Sequence, residues 1–221
     1  LYANTPKYFR EQEKASGVRG QGDRYELLSV IETHGVVIRD AENGRTILTS
    51  PEGTATIRYK SDDVVPMVSF VGVSLADMKL HCADENHADF LLPFSDDEYA
   101  SMTETFGAHC AVVDARELER AVSAYSKATN CGFLLREVEY CAQNRIDRVR
   151  SFCGGEKERF FFKNEDLAFQ RECRLVLDRE IPDDHFIRIG CLSNSVVIKS
   201  ERLRNMCISI RYDIRRNNTV G

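Results

Sequence analysis

Short β-type segments between residues 36 and 75 constrain the fold more than any other feature of this sequence. Residues 36–39 and 45–48 flank Asn43-Gly44, a dipeptide typical of a tight hairpin turn. Residues 54–59 alternate apolar and polar side chains, and residues 64–75 are apolar and rich in β-formers. Since these segments lack a βαβ rhythm, the sequence predicts an antiparallel meander here.

Helix signals appear later in the chain. Ser95 is followed three residues later by Glu98, which is the capping-box spacing, and that helix should end near Gly107. Asp114 precedes an amphipathic stretch up to residue 128. We therefore predict an α+β fold: a single domain over residues 1–221 with a mixed, largely antiparallel sheet and a few helices. Residues 142–159 are polar and arginine-rich, which favours a mobile loop.

Composition excludes two classes of protein. No apolar run approaches the ~18 residues that span a bilayer, so we expect no membrane partner. The net charge of -5 argues against a wholly basic nucleic-acid coat. No signal peptide is visible, so we expect a cytoplasmic protein.

The eight cysteines do not form a recognisable ligand pattern. No pair has the C-x-x-C spacing of zinc or redox motifs, so we expect reduced thiols that behave as small core residues. A zinc site built from His81, Cys82 and His87 would lack a second ligand pair. The sequence therefore predicts no metal site.

The first candidate site lies near the N-terminus. Arg10 and Arg19 could clamp a phosphate, and nearby glycines, at positions 17, 20 and 22, would allow a ligand to approach the backbone. Asp23 and Glu26 could bind ribose hydroxyls or act as acid and base. The alternative is a polar loop whose arginines pair with its own carboxylates.

The second candidate site lies late in the chain. Glu172 and Arg174 are two residues apart, so on a strand they share one face, with Lys163 shortly before them. This arrangement is either an acid poised beside an anion site or an internal ion pair.

Several short motifs together resemble one group of proteins. Tyr8-Phe9-Arg10, Arg19-Gly20, Asp23 to Glu26, Phe162-Lys163 and Phe169 to Arg174 follow the pattern Y-F-R … R-G-D-x-x-E … F-x-K … F-x-x-E-x-R. This pattern resembles a family of uncharacterised bacterial and phage proteins. The chain departs from it by inserting Gln21-Gly22 and by having Leu27 where a glycine is usual. The order of elements is similar, by analogy only, to ADP-ribosyltransferase-like toxins.

The main functional hypothesis is an enzyme that handles NAD or another nucleotide, as a transferase or glycohydrolase in a bacterial or phage conflict system. Glu172 and Glu26 would be catalytic, and Arg10, Arg19, Asp23, Arg174 and Lys163 would bind the substrate. NAD or a nucleotide is then the expected cofactor. The hypothesis requires both blocks to meet around one pocket.

Two alternatives remain open. One is an interaction module, forming a homodimer or docking a protein partner through the acidic residues 83–98 and the basic tail. The other is RNA binding through arginines of the linker and tail, namely Arg145, Arg148, Arg150, Arg159, Arg211, Arg215 and Arg216.

Overall fold

The computed structural model describes residues 1–17 and 20–212. They divide into two compact units. The first unit consists of Leu1–Phe70 and Glu119–Gly190, and the second of Val71–Leu118 and Cys191–Gly221. The fold class is α+β, as predicted, while the single domain over residues 1–221 stays a prediction.

The described residues form four α-helices and twelve strands. The helices are α1 (Pro6–Ser16), α2 (Asp96–Phe106), α3 (Ala115–Thr129) and α4 (Ile146–Gly154). The strands are β1 (Ser29–Arg39), β2 (Thr46–Ile57), β3 (Met67–Val71), β4 (Lys79–Ala83), β5 (His87–Leu91), β6 (His109–Val113), β7 (Phe133–Glu137), β8 (Glu139–Tyr140), β9 (Phe162–Lys163), β10 (Glu172–Leu177), β11 (Ser195–Lys199) and β12 (Cys207–Arg211). Every one of the described helices is too short or too polar to cross a membrane.

Small sheets replace the single sheet that the sequence suggested. In the first unit, β1 and β2 form an antiparallel hairpin, β10 lies between β3 and β7, and β8 pairs in parallel with β9. The predicted hairpin is thus confirmed, but β3 does not continue the meander. It pairs with β10, because Met67 belongs to the buried cluster around Leu27, Phe152 and Val176 rather than to the exposed hairpin.

Helix α1 is defined by strong local signals. The Thr5 side chain caps it by accepting a hydrogen bond from the Tyr8 N–H, and Pro6 occupies the first turn. Gly17 ends it in the left-handed region at φ +66°, where glycine carries no steric cost. One residue of its inner face, Arg10, is buried.

Residues 142–159, predicted to form a loop, contain a helix. They contain α4, whose Arg148 and Phe152 are buried. These residues are four apart, so they lie on the same face of the helix. The charge pattern did not indicate that this face of α4 is buried, because an arginine in a polar segment is usually exposed to solvent. The mobility of this segment stays a prediction.

The second unit contains two small antiparallel sheets and α2. Strand β5 lies between β4 and β12, and β6 pairs with β11. Helix α2 begins with the predicted capping box, in which Ser95 and Glu98 bond each other's backbone N–H. Phe94, Tyr99 and Met102 form its buried cluster.

All eight cysteines are free thiols. Cys131 and Cys141 are buried, as expected of core residues, but four others are exposed: Cys82, Cys153, Cys191 and Cys207. The prediction of core thiols is therefore wrong for these four, because each lies on a surface-facing position of its helix, strand or loop.

Candidate functional site

The two charged blocks predicted from sequence meet in the first unit. Arg174 Nη1 lies 2.8 Å from Glu26 Oε1, although the two residues are 148 positions apart. Around this pair lies a cluster that we call the buried charge cluster: Asp23, Glu26, Lys163, Glu172 and Arg174. Convergence of the two blocks is thus observed, but in a filled interior.

Arg174 is the centre of the buried charge cluster. Strand β10 is the middle strand of its sheet, so both of its edges are paired. Five of its six residues are buried, and the Arg174 side chain is 1% exposed. Its Nε donates to Glu172 Oε1 at 2.7 Å, and its two Nη atoms donate to the two Glu26 carboxylate oxygens at 2.8 and 3.2 Å. Arg174 and Glu26 thus form a bidentate ion pair. Arg174 also donates to the Phe160 carbonyl at 2.5 Å.

Both carboxylate oxygens of Glu172 accept further hydrogen bonds. Lys163 Nζ donates to Glu172 Oε2 at 2.7 Å, and the Ser69 hydroxyl donates to Glu172 Oε1 at 2.6 Å. Lys163 also donates to Gln170 Oε1 at 2.6 Å. Burial would raise the pKa of Glu172, but Arg174 and Lys163 outweigh it and hold that pKa well below its usual range.

Asp23 differs from Glu172 in the direction in which its pKa is shifted. Burial, reinforced by the nearby Glu26 carboxylate, raises its pKa to about 6, while Lys163 partly opposes that shift. With Asp23 protonated, two acids (Glu26 and Glu172) face two cations, and the cluster is neutral. Ionisation of Asp23 adds an unbalanced charge to the interior.

The structure therefore supports the internal ion-pair interpretation of Glu172 and Arg174. A substrate-binding or catalytic role would require a free face, and in this conformation both carboxylates and both cations are buried and paired. The roles proposed for Glu26, Glu172, Lys163, Arg174 and Asp23 in catalysis and substrate binding stay predictions. What the contacts establish is that these residues join the N-terminal loop to β10.

Gly22 has a packing role that the sequence did not reveal. A Cβ at this position would lie 2.2 Å from the Phe9 carbonyl oxygen of α1. The next residue, Asp23, donates its N–H to that same oxygen at 3.1 Å. The glycine therefore lets the loop approach helix α1, rather than a ligand.

Arg10 lies between the buried charge cluster and the surface. One Nη donates to the backbone carbonyl of Glu26 at 2.9 Å, and the other forms an ion pair with Asp63. Its guanidinium is thereby held in one orientation. Arg19, its predicted partner, lies outside the described residues.

On its outer side Arg10 lines what we call the basic cavity, of about 400 Å³. Five cationic residues surround it against two acidic ones and one leucine: Lys7, Arg10, Lys14, Arg24 and Arg58, with Glu11, Asp63 and Leu28. Lys7 is 4.0 Å from Glu11, and the Arg24 guanidinium lies over the Tyr25 ring. Within residues 1–17 and 20–212, the side chains of Lys14 and Arg58 have no ion pair or hydrogen bond.

Most residues of this cavity were not predicted from the sequence to bind a ligand. Lys7, Arg10 and Lys14 are spaced i, i+3, i+7, which places them on one face of α1. This spacing can be read from the sequence and would have predicted a basic helix face. Arg58 follows β2 and carries no comparable signal, because only tertiary structure brings it to the helix.

The arginines proposed to contact RNA differ in their exposure. Arg148 is buried and donates to two backbone carbonyls, and Arg159 is buried in an ion pair with Asp62. Arg145 is paired with Glu139 and Asp147. Arg215 and Arg216 lie outside the described residues. Arg148 and Arg159 therefore stabilise the first unit, whereas Arg150 and Arg211 are exposed, and RNA binding stays a prediction.

Comparison with known proteins yielded no match: none was found to a protein-family model, to a curated protein or to a solved structure. The resemblance to bacterial and phage proteins, and with it the conflict-system context, stays a prediction.

Proposed function

We propose that this protein binds a phosphorylated small molecule, of the nucleotide or NAD class, in the basic cavity. The observation that supports it is the cationic excess of the cavity, five side chains against two acids. The excess matters because Lys14 and Arg58 lack protein partners among the described residues, so they can pair with a ligand's phosphates.

The size and rigidity of the cavity suit such a ligand. Its volume of about 400 Å³ lies within the range typical of small-molecule sites. Arg10 is already oriented by Asp63 and by the Glu26 carbonyl, so little side-chain entropy is lost when a phosphate binds to it. In this proposal the buried charge cluster supports the site, because Glu26 anchors both Arg10 and Arg174.

Turnover of the ligand is a separate question from binding. The two carboxylates predicted to catalyse a glycohydrolase or transferase step, Glu26 and Glu172, do not line the basic cavity. Our proposal therefore covers binding, and the enzymatic activity stays the prediction made from sequence.

Calorimetric titration with inorganic phosphate, AMP, ADP and NAD tests this proposal. We expect at least one of these ligands to bind the wild type. We further expect Lys14→Ala combined with Arg58→Ala to weaken binding by about tenfold or more, since each charged hydrogen bond contributes about 1.5–3 kcal/mol.

Lys127→Ala is the matched control, since this exposed lysine of α3 does not line the cavity. It should leave affinity unchanged. Absence of binding by all four ligands, or equal affinities in the double variant and the wild type, would contradict the proposal.

A second candidate function, self-association, is favoured by the β1–β2 hairpin. Four large apolar side chains are exposed near its turn and define the hairpin tip: Val37, Ile38, Ile47 and Leu48. Ile38 and Leu48 are cross-strand partners on one face of the hairpin, whereas Val37, the neighbour of Ile38, lies on the other face. Ile47 alone is 67% exposed. Both strands are edges of a two-stranded sheet, so each offers unpaired backbone groups to another strand. We propose a homodimer that pairs these strand edges and buries side chains of the hairpin tip.

Light scattering coupled to size exclusion, over a range of concentrations, tests the homodimer. We expect the wild type to dimerise and Ile47→Lys to shift it to monomer, because a lysine would be desolvated in the interface. Thr54→Lys places the same charge at an exposed position of the same strand, opposite Glu32, and should still dimerise. A monomeric wild type would exclude the homodimer.

A further inference from the structure

The second unit contains a group of metal-ligating side chains that the basic cavity does not involve. Cys82, His87 and Asp89 each offer one ligand atom, and these atoms all lie within 4.8 Å of one another. They differ in donor type: one thiol, one imidazole and one carboxylate. We propose that they bind a zinc-class divalent transition-metal ion.

The strand register explains why these residues converge. Cys82 of β4 lies directly opposite Asp89 of β5, so their side chains share one face of the sheet. His87 precedes Asp89 by two residues on β5 and is therefore on that face as well. The contacts are short already: His87 Nε2 is 2.8 Å from Asp89 Oδ1, and Cys82 Sγ is 3.3 Å from Asp89 Oδ2.

Two further residues, Asp84 and Ser209, form hydrogen bonds with the proposed ligands. The other imidazole nitrogen, His87 Nδ1, lies 3.2 Å from Asp84 Oδ2. A carboxylate in that position fixes the imidazole so that Nε2 is directed to a metal, which is the usual environment of a metal-bound histidine. The Ser209 hydroxyl of β12 is 2.5 Å from Asp89 Oδ1 and orients that carboxylate.

The donor set indicates the class of ion. Thiolate, imidazole and carboxylate together suit Zn²⁺ and its spectroscopic substitute Co²⁺, whereas Mg²⁺ and Ca²⁺ prefer oxygen ligands alone. Three protein ligands leave a fourth tetrahedral position, and the exposure of Cys82 keeps that side open for water. On binding, the thiol proton of Cys82 passes to solvent, and His87 binds through its unprotonated Nε2.

This set differs from the one considered in the sequence. His81 is adjacent to Cys82 in the chain, but the register of β4 shifts between Leu80 and Cys82, so His81 has no partner on β5. Asp89 replaces it as a ligand, because pairing across strands, not sequence spacing, decides which side chains meet. The prediction of no metal site relied on spacing alone.

Titration of the metal-free full chain with Co²⁺ tests the site. We expect one equivalent to produce a thiolate-to-cobalt charge-transfer band together with the intense visible bands of tetrahedral cobalt, and Zn²⁺ to abolish both. Cys82→Ser should remove the charge-transfer band, and His87→Gln should weaken Co²⁺ binding by at least about tenfold. Circular dichroism would verify that both variants fold, as their surface positions lead us to expect.

Cys191→Ser is the matched control, since it removes an exposed thiol of the same unit that does not belong to the cluster. It should keep the full cobalt spectrum. The proposal is overturned if the wild type gives no charge-transfer band, if Cys82→Ser retains the band, or if Cys191→Ser loses it too.

Discussion

Replacing Arg174 with methionine is expected to lower the free energy of unfolding by about 3–5 kcal/mol, the usual cost of removing one partner from a buried ion pair. The methionine fills similar space, but Glu26 and Glu172 both lose their guanidinium partner inside the protein. Lys163 would be the only cation of the cluster left to balance them. Since domains are stable by only about 5–15 kcal/mol, such a loss is a large share of the total.

Urea denaturation followed by circular dichroism measures this effect. Arg188→Met is the matched control, because Arg188 forms an exposed ion pair with Asp184 and such pairs contribute little to stability. Similar losses in the two variants would contradict the assignment of Arg174 as the centre of the cluster.

Asp23→Asn is expected to stabilise the protein at pH 8 and to leave it nearly unchanged at pH 4. The folded pKa of Asp23 is about 6, above its ordinary value of 3.8. A carboxyl with a raised pKa binds protons more tightly when folded, so its contribution is most favourable below the unfolded pKa and is lost as pH rises through the folded pKa. A shift of about two units corresponds to about 3 kcal/mol, and asparagine avoids this loss because it stays neutral.

Urea midpoints at pH 4, 5, 6 and 8 test this prediction. The stability difference between Asp23→Asn and the wild type should grow between pH 4 and pH 6 and then level off. Glu172, whose pKa is lowered, acts in the opposite sense and at lower pH, so it does not mask the change. Asp183→Asn, which makes the same substitution at an exposed position, is the matched control. A variant less stable than the wild type at pH 8 would refute the assignment.

Local features were predictable because their causes lie within a few residues. Ser95 and Glu98 form the predicted capping box, and Asn43-Gly44 connects the predicted hairpin. The shared face of Glu172 and Arg174 follows from strand alternation alone. Side-chain chemistry at short separation therefore determined these elements.

Burial of charge was the main feature that the sequence could not reveal. Arg148 and Arg159 look like a solvated basic linker, yet each is buried against carbonyl or carboxylate partners. Whether an arginine is exposed depends on groups far away in sequence, such as Asp62, 97 positions from Arg159. No periodicity encodes such a distant pair.

By itself, the sequence determined the α+β class, the hairpin, the helix caps and the residue types available for chemistry, because short-range propensities and capping bonds act within one element. Only the tertiary structure decided that Glu26 pairs with Arg174, that Arg58 joins α1 at the basic cavity and that Cys82 faces Asp89. The physical reason is that these contacts follow from which surfaces pack together, which is set by the burial of whole elements rather than by any local pattern.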